Sequence, residues 1–189
     1  DQLEGGESGA GRGFSFRRDE PLLMTFTDRP GAETLTAGDI VNHAEEESLI
    51  AIFKGYGESR HARRIARAIV ERRGNGPIAT TRELAELILS AVPEVARRAR
   101  LHPATGIFQA LRIAVNDELE ALTEALGEAL EHLARSGRIA VISFHSLEDR
   151  IVKNKFREWA AGSFGHIIPK KPITPSDTER TTNPRSRSA

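Results

Sequence analysis

Arg138-Ile-Ala-Val-Ile-Ser-Phe-His-Ser-Leu-Glu-Asp-Arg150 is the stretch that decides the fold. Its first seven residues form a short, apolar, β-branched run between Ser136-Gly137 and polar residues, which predicts a strand over 138–144. The rest opens a helix: Ser146 and Asp149 stand at the spacing of a capping box, and the helix is expected to continue to about residue 160. So apolar a strand belongs in a sheet covered on both faces. Residues 22–27 offer only one weaker strand, and one or two strands do not make such a sheet. The partner strands are therefore expected on chain outside these 189 residues. In open α/β sheets, ligands bind beyond the carboxyl ends of the strands. Ser143, His145 and Ser146 hold that position, with Asp149 one turn later. They lie beside a helix N-terminus, where free N–H groups carry a partial positive charge. The cluster can hydrogen-bond a polar heterocycle or hold an anion. A Ser-His-Asp hydrolase triad is disfavoured because the Gly-x-Ser-x-Gly elbow is absent. Helix capping alone accounts for Ser146 and Asp149, but not for Ser143 or His145.

Upstream of this stretch the chain reads as helical. Thr36-Ala-Gly-Asp39 and Thr80-Thr-Arg-Glu83 resemble capping boxes. Helices are expected over about 45–54, burying Leu49, Ile52 and Phe53, over 60–73, and over 82–92, burying Leu84, Leu87 and Ile88. On the second of these, Arg60, Arg63, Arg64 and Arg67 form one stripe and Ala62, Ile65, Ala66 and Ile69 the opposite one. After His102-Pro103 a helix is expected to about residue 134, with Leu119, Leu122, Leu126, Leu130 and Leu133 facing a core. Residues 1–38, rich in Gly, read as loop, and Gly9-Ala-Gly11-Arg-Gly13 lacks dinucleotide-fingerprint spacing. The tail from Gly162, with Pro169, Pro172, Pro175 and Pro184, is expected to be mostly irregular.

Charge is balanced overall, 27 acidic against 27 basic, but unevenly placed. Residues 1–59 carry 12 acidic and 5 basic side chains, and residues 60–112 carry 4 and 11, all of the basic ones Arg. Such a basic middle suits an anionic partner, with planar guanidinium groups binding phosphate bidentately. A solvated helix face is the plainer reading of the same charges. There is no Cys, so thiolate chemistry is excluded and a zinc site would need His and carboxylates alone. No metal site is expected. No apolar run approaches the ~18 residues of a membrane span, and the cytoplasm is the expected compartment.

Residues 139–153 closely resemble the signature of the bacterial ribosomal RNA small subunit methyltransferase H family, the cytosine-N4 methyltransferases. Other stretches agree in order: Arg12-Gly-Phe-Ser-Phe-Arg17, Tyr56-Gly57 with Ala62-Arg-Arg-Ile-Ala-Arg-Ala-Ile-Val70, His102-Pro-Ala-Thr105 with Phe108-Gln-Ala-Leu-Arg-Ile-Ala-Val-Asn116, and Asn183-Pro-Arg-Ser-Arg-Ser-Ala189. The resemblance implies an α/β fold: the C-terminal portion of a Rossmann-like class I methyltransferase domain with an all-helical inserted domain. Its parts would be residues 1–36 (methyltransferase, after its fourth strand), 37–112 (helical insertion, facing RNA) and 113–189 (return to the main domain). The implied reaction moves a methyl from S-adenosyl-L-methionine to N4 of a cytidine in 16S ribosomal RNA, within the small ribosomal subunit. Ser143, His145, Ser146 and Asp149 would form the acceptor site, and Arg60, Arg63, Arg64, Arg67 and Arg112 would contact the RNA. Asp1-Gln-Leu-Glu4 resembles the end of the family's Asp-Leu-Gly-Val-Ser-Ser-x-Gln-Leu-Asp motif, which makes Gln2 the one cofactor contact expected here. The chain alone is then expected to bind the cofactor poorly and to be inactive. The competing reading is an RNA-binding helical module without catalysis. The oligomeric state stays open, a homodimer included. Two stretches depart from the family pattern: Gly106-Ile107 stands where Arg-Thr is usual, and Asp19-Glu-Pro-Leu-Leu-Met-Thr25 where Asp-Gly-Pro-Leu-Asp-Met-Arg is.

Overall fold

The structure, a computed structural model, describes residues 11–27, 29–169, 171–183 and 186. Among them are nine helices: α1 (Ala37–His43), α2 (Glu46–Gly55), α3 (Ala62–Arg73), α4 (Thr81–Ala91), α5 (Glu94–Arg97), α6 (Ala104–Asn116), α7 (Glu118–Glu131), α8 (Ser146–Ala161) and α9 (Asp177–Thr182). The chain divides into two compact units, residues 1–117 and 118–189.

The first unit is a helical bundle with one core. The expected amphipathic periods hold. Leu49 and Phe53 of α2, Ala62, Ile65, Ala66 and Ile69 of α3, and Leu84 and Ile88 of α4 are all fully buried or nearly so. Ile52 and Leu87 sit half-buried at its margin. α6 adds Ala104, Ile107, Phe108, Ala110 and Leu111. Side chains tie the helix ends. Arg73 donates from Nη1 to the carbonyls of Val41 (3.0 Å) and Ala44 (2.8 Å), satisfying the C-terminal end of α1. Asn42 accepts from Ile78 N–H (2.8 Å) and donates to Ile78 O (3.0 Å), pinning the approach to α4. Arg72 pairs with Glu83 across α3 and α4.

The two upstream capping signals are realised. Thr36 Oγ1 accepts from Asp39 N–H (3.1 Å), and the Asp39 carboxylate accepts from Thr36 N–H (2.9 Å) and from its hydroxyl (2.6 Å). Thr80 Oγ1 accepts from Glu83 N–H (3.3 Å), while Glu83 reaches back to Ala79 N–H (3.0 Å). The Thr36 hydroxyl, with its N–H and nearby His43, holds the Asp39 carboxyl below its ordinary value of 3.8 against the opposing effect of partial burial. A depressed folded-state pKa stabilises above the unfolded value, and that stability is lost as pH falls through the folded one. Thr36→Ala is therefore expected to cost about 1 kcal/mol near neutral pH. The deficit should shrink in acid below the ordinary carboxylate range, as Asp39 takes up its proton. Urea unfolding at the two pH values measures this, and an equal deficit at both would contradict it.

The expected strand over 138–144 does not form. The segment has no regular secondary structure, but its residues alternate half-buried (Ile139, Val141, Ser143) and exposed (Ala140, Ile142, Phe144) with the period of a strand. It has no ladder partner among the described residues. Residues 22–27 are likewise loop, preceded by the isolated bridge of Pro21 to Thr80. The single long helix expected after His102-Pro103 is two. Asp117 takes a left-handed backbone (φ 51°) that separates α6 from α7, a conformation Asp tolerates better than most residues. On α7 only Leu126 is buried; Leu119, Leu122 and Leu130 are half-buried and Leu133 is exposed. Within the second unit α7 packs chiefly on α8, too little neighbouring surface to cover the stripe. The tail, expected to be irregular, contains α9, begun by Ser176, whose hydroxyl accepts from Glu179 N–H (3.2 Å).

Candidate functional site

The residues at the start of α8 are arranged differently from the simple capping-box expectation. His145, not Ser146, is the N-cap: its Nδ1 accepts from Glu148 N–H (3.4 Å). Glu148 replies one residue earlier than in an ordinary box, its Oε2 accepting from Phe144 N–H (2.7 Å). The pair ties the end of the segment 138–144 to the helix start. It also fixes the imidazole. With Nδ1 accepting, the neutral ring carries its proton on Nε2. Nε2 is shut off from solvent and lies 3.3 Å from Glu148 Oε1, yet has no hydrogen-bond partner among the described residues. A buried donor left unmade costs about 1–3 kcal/mol, and the nearest acceptor to this one is Glu148 Oε1. Glu118, the first residue of α7, brings a third group: one ligand atom each from Glu118, His145 and Glu148 lie within 4.8 Å of one another. The composition would suit a cation, but a protonated Nε2 donates and does not ligate. Ser143 and Asp149 are half-buried and Ser146 is exposed. The four expected acceptor-site residues thus come together at one helix start. Sequence reasoning missed Glu148 and Glu118. The His145-x-x-Glu148 spacing is itself that of a capping box, a signal obscured because His is an unusual cap.

The Arg stripe faces outward as expected. Arg60, Arg63, Arg64 and Arg67 are exposed, opposite the buried Ala62, Ile65, Ala66 and Ile69. Its surroundings are less purely positive than α3 alone suggests. Arg67 pairs with Glu71 (3.2 Å), and Arg63, Arg64 and Arg67 line one open groove with Glu46, Glu47 and Ile50 of α2. Arg112 belongs to α6, not to this groove, and is half-buried. Gln2 lies outside the described residues, as does most of Asn183-Pro-Arg-Ser-Arg-Ser-Ala189.

The two departures from the family pattern have local explanations. A Cβ at Gly106 would stand 2.8 Å from Gly57 O, and one at Gly57 would stand 2.7 Å from Gly106 O. The first turn of α6 packs backbone to backbone on the turn after α2, with Ile107 fully buried beside it; no Arg fits at 106 without a backbone shift. Glu20, at the usual Gly position, buries its carboxylate and accepts from Gly13 N–H (2.9 Å). Gly11 has no room for a side chain because that carboxylate fills its place. Gly11 and Gly13 thus form a seat for Glu20. Thr25, at the usual Arg position, is buried and donates to Thr27 O (3.0 Å).

No helix of the described residues is long and apolar enough to cross a membrane. Comparison with known proteins completes the picture. The chain is similar to proteins named ribosomal RNA small subunit methyltransferase H from Synechococcus sp. (strain JA-2-3B'a(2-13)), 54% identical over 181 residues, from Sulfurihydrogenibium sp. (strain YO3AOP1), 50% over 178, and from Persephonella marina, 52% over 178. Each alignment covers 94% of this chain, but only 53% of the first relative and 60% of the other two. The family model described as the MraW methylase family matches residues 7–189, nearly the whole length, and the chain belongs to that family.

Proposed function

We propose that this chain is the acceptor-side part of an S-adenosyl-L-methionine-dependent methyltransferase that modifies N4 of a cytidine in 16S ribosomal RNA. The observation that carries the reading is His145: a capped, oriented imidazole with a buried, unpartnered Nε2 donor, at the end of an apolar segment and the start of a helix. The names of the relatives point to the same substrate class. A Rossmann-like sheet would accommodate the segment 138–144, whose exposed Ile142 and Phe144 await neighbours.

The methyl donor, when bound, supplies an electrophilic methyl group. The acceptor nitrogen is a poor nucleophile because its lone pair is delocalised into the ring, so holding it in line carries much of the acceleration. His145 Nε2–H donates to a carbonyl or ring nitrogen of the base, recovering the hydrogen bond it lacks in the free protein. Ser143 and Ser146 flank it and contact the base or its sugar. The Glu148 N–H, donating to Nδ1, holds the imidazole's tautomer through the cap, and Asp149 supports the helix start. As the nitrogen–methyl bond forms and the methyl–sulfur bond breaks, positive charge develops on the exocyclic amine; the hydroxyl and carboxylate oxygens of this cluster would stabilise it, and the amine's proton would then leave to solvent. The base must leave its stack to reach them.

Arg60, Arg63, Arg64 and Arg67 would meet RNA phosphates, which sets affinity and register but not sequence. Arg112, within the core unit, is assigned to RNA by resemblance alone. Gln2 is the one donor contact that the resemblance assigns to this stretch. The test in cells is deletion of the gene followed by nucleoside analysis of small-subunit RNA. One N4-methylated cytidine should disappear and return with the full-length gene; its persistence in the deletion strain would overturn the reading.

A further inference from the structure

Two loop segments of the first unit, 11–16 and 22–27, are bonded into one rigid surface. Met24 N–H donates to Arg12 O (2.6 Å), and Arg12 Nη1 donates to Phe26 O (2.8 Å). Asn116, at the end of α6, closes the assembly. Its Oδ1 accepts from Phe26 N–H (2.9 Å), and its Nδ2 donates to Met24 O (2.7 Å) and Arg112 O (2.8 Å). Met24 is fully buried with a left-handed backbone (φ 57°), which turns the chain so that Phe26 faces outward. On this frame the Phe14 and Phe26 rings stack, centroids 6.0 Å apart and planes inclined by 27°. The Arg12 guanidinium lies 5.3 Å over the Phe14 ring. Phe26 is 49% exposed, although its backbone is held at both ends of the peptide. Arg17 and Arg18 are exposed on the loop joining the two segments.

An exposed phenyl ring on a fixed backbone, backed by a second ring and by the Arg12 guanidinium, has the make-up of a stacking site for a planar ligand joined to an anion. An unpaired nucleobase with its phosphates fits both parts, the ring taking the base and the Arg side chains the backbone. We propose that Phe26, supported by Phe14 and Arg12, is a stacking platform for one unpaired base of a bound RNA strand. Phenyl rings offer no hydrogen bonds, so the platform grips a base without reading its identity. Asn116 is its positioning residue, acting only through the loop backbone. The proposal rests on the RNA-substrate reading above and adds a subsite to it.

Phe26→Ala and Phe26→Trp variants of the full-length protein, titrated with a single-stranded fragment of small-subunit RNA over a range of salt, test it. Phe26→Ala should weaken binding roughly 10-fold at every salt concentration, within the range for losing one stacked base. The salt slope should be unchanged because no cation is removed. Phe26→Trp should bind as tightly as the unsubstituted protein or more so, with its added fluorescence quenched by the RNA. If the unsubstituted protein binds and Phe26→Ala matches it while melting at a lower temperature, Phe26 is packing only and the platform is wrong. If the unsubstituted protein binds no RNA, the substrate reading falls and the platform with it.

Discussion

Replacing His145 by Asn in the full-length protein is expected to lower kcat for methyl transfer by about 100-fold or more, the scale on which a positioned polar group acts in catalysis. Asn is chosen because the imidazole does two things at once. Through Nδ1 it caps α8, and loss of a cap alone costs about 1 kcal/mol of stability. Asn is among the best N-caps and should keep the helix start, the Glu148 reply to Phe144 N–H and the melting temperature. What it lacks is an Nε2 donor at the same reach. A variant that melts like the parent but transfers slowly separates the acceptor role from the structural one. Unchanged kcat in His145→Asn would reduce His145 to a cap and remove the main support for the acceptor site.

The second large effect concerns affinity. Changing Arg63, Arg64 and Arg67 together to Gln should weaken binding to small-subunit RNA roughly 10- to 100-fold at low salt. The slope of log K against log salt should fall by about 2 to 3, near one for each phosphate that is no longer neutralised. Because Glu46 and Glu47 line the same groove, changing those two to Gln should act in the opposite direction and tighten binding. Arg67 already pairs with Glu71 (3.2 Å), so among the single variants it should matter least. Filter binding at four salt concentrations reads both quantities. An unchanged slope in the triple Arg variant would make the stripe an ordinary solvated face.

The parts of the fold readable from sequence are those governed by local rules. The 3.6-residue period put Ala62, Ile65, Ala66 and Ile69 inside and the Arg residues of α3 outside, and Thr36 with Asp39 marked the start of α1. The parts that were not readable depend on neighbours distant in sequence. Residues 138–144 have a strand's composition and alternation, but a strand is defined by its partners. The break at Asp117 turns on one left-handed residue inside a continuous apolar period. The Leu stripe of α7 predicts a buried face, yet burial needs a second layer, and α8 alone is not one. The same holds for the site. His145 was legible from its place after an apolar run, whereas the Glu118 carboxylate and the orphaned Nε2 appear only when α7 and α8 come together. Glu46 and Glu47 beside the Arg stripe are likewise a product of helix packing. The seating of Glu20 shows the reverse case: Gly11 and Gly13, in a stretch without a recognisable motif, are glycines for a definite steric reason.

Acceptor chemistry at a cytosine amine is the central claim, and product identity tests it most directly. Purified full-length protein is incubated with small ribosomal subunits lacking the modification and with isotopically labelled S-adenosyl-L-methionine, and the RNA is then digested and its nucleosides resolved by mass spectrometry. The prediction is label in N4-methylcytidine at a single site, greatly reduced with His145→Asn. Label in a ring-carbon or ribose methyl group, or no label with a folded protein that binds both substrates, would contradict it.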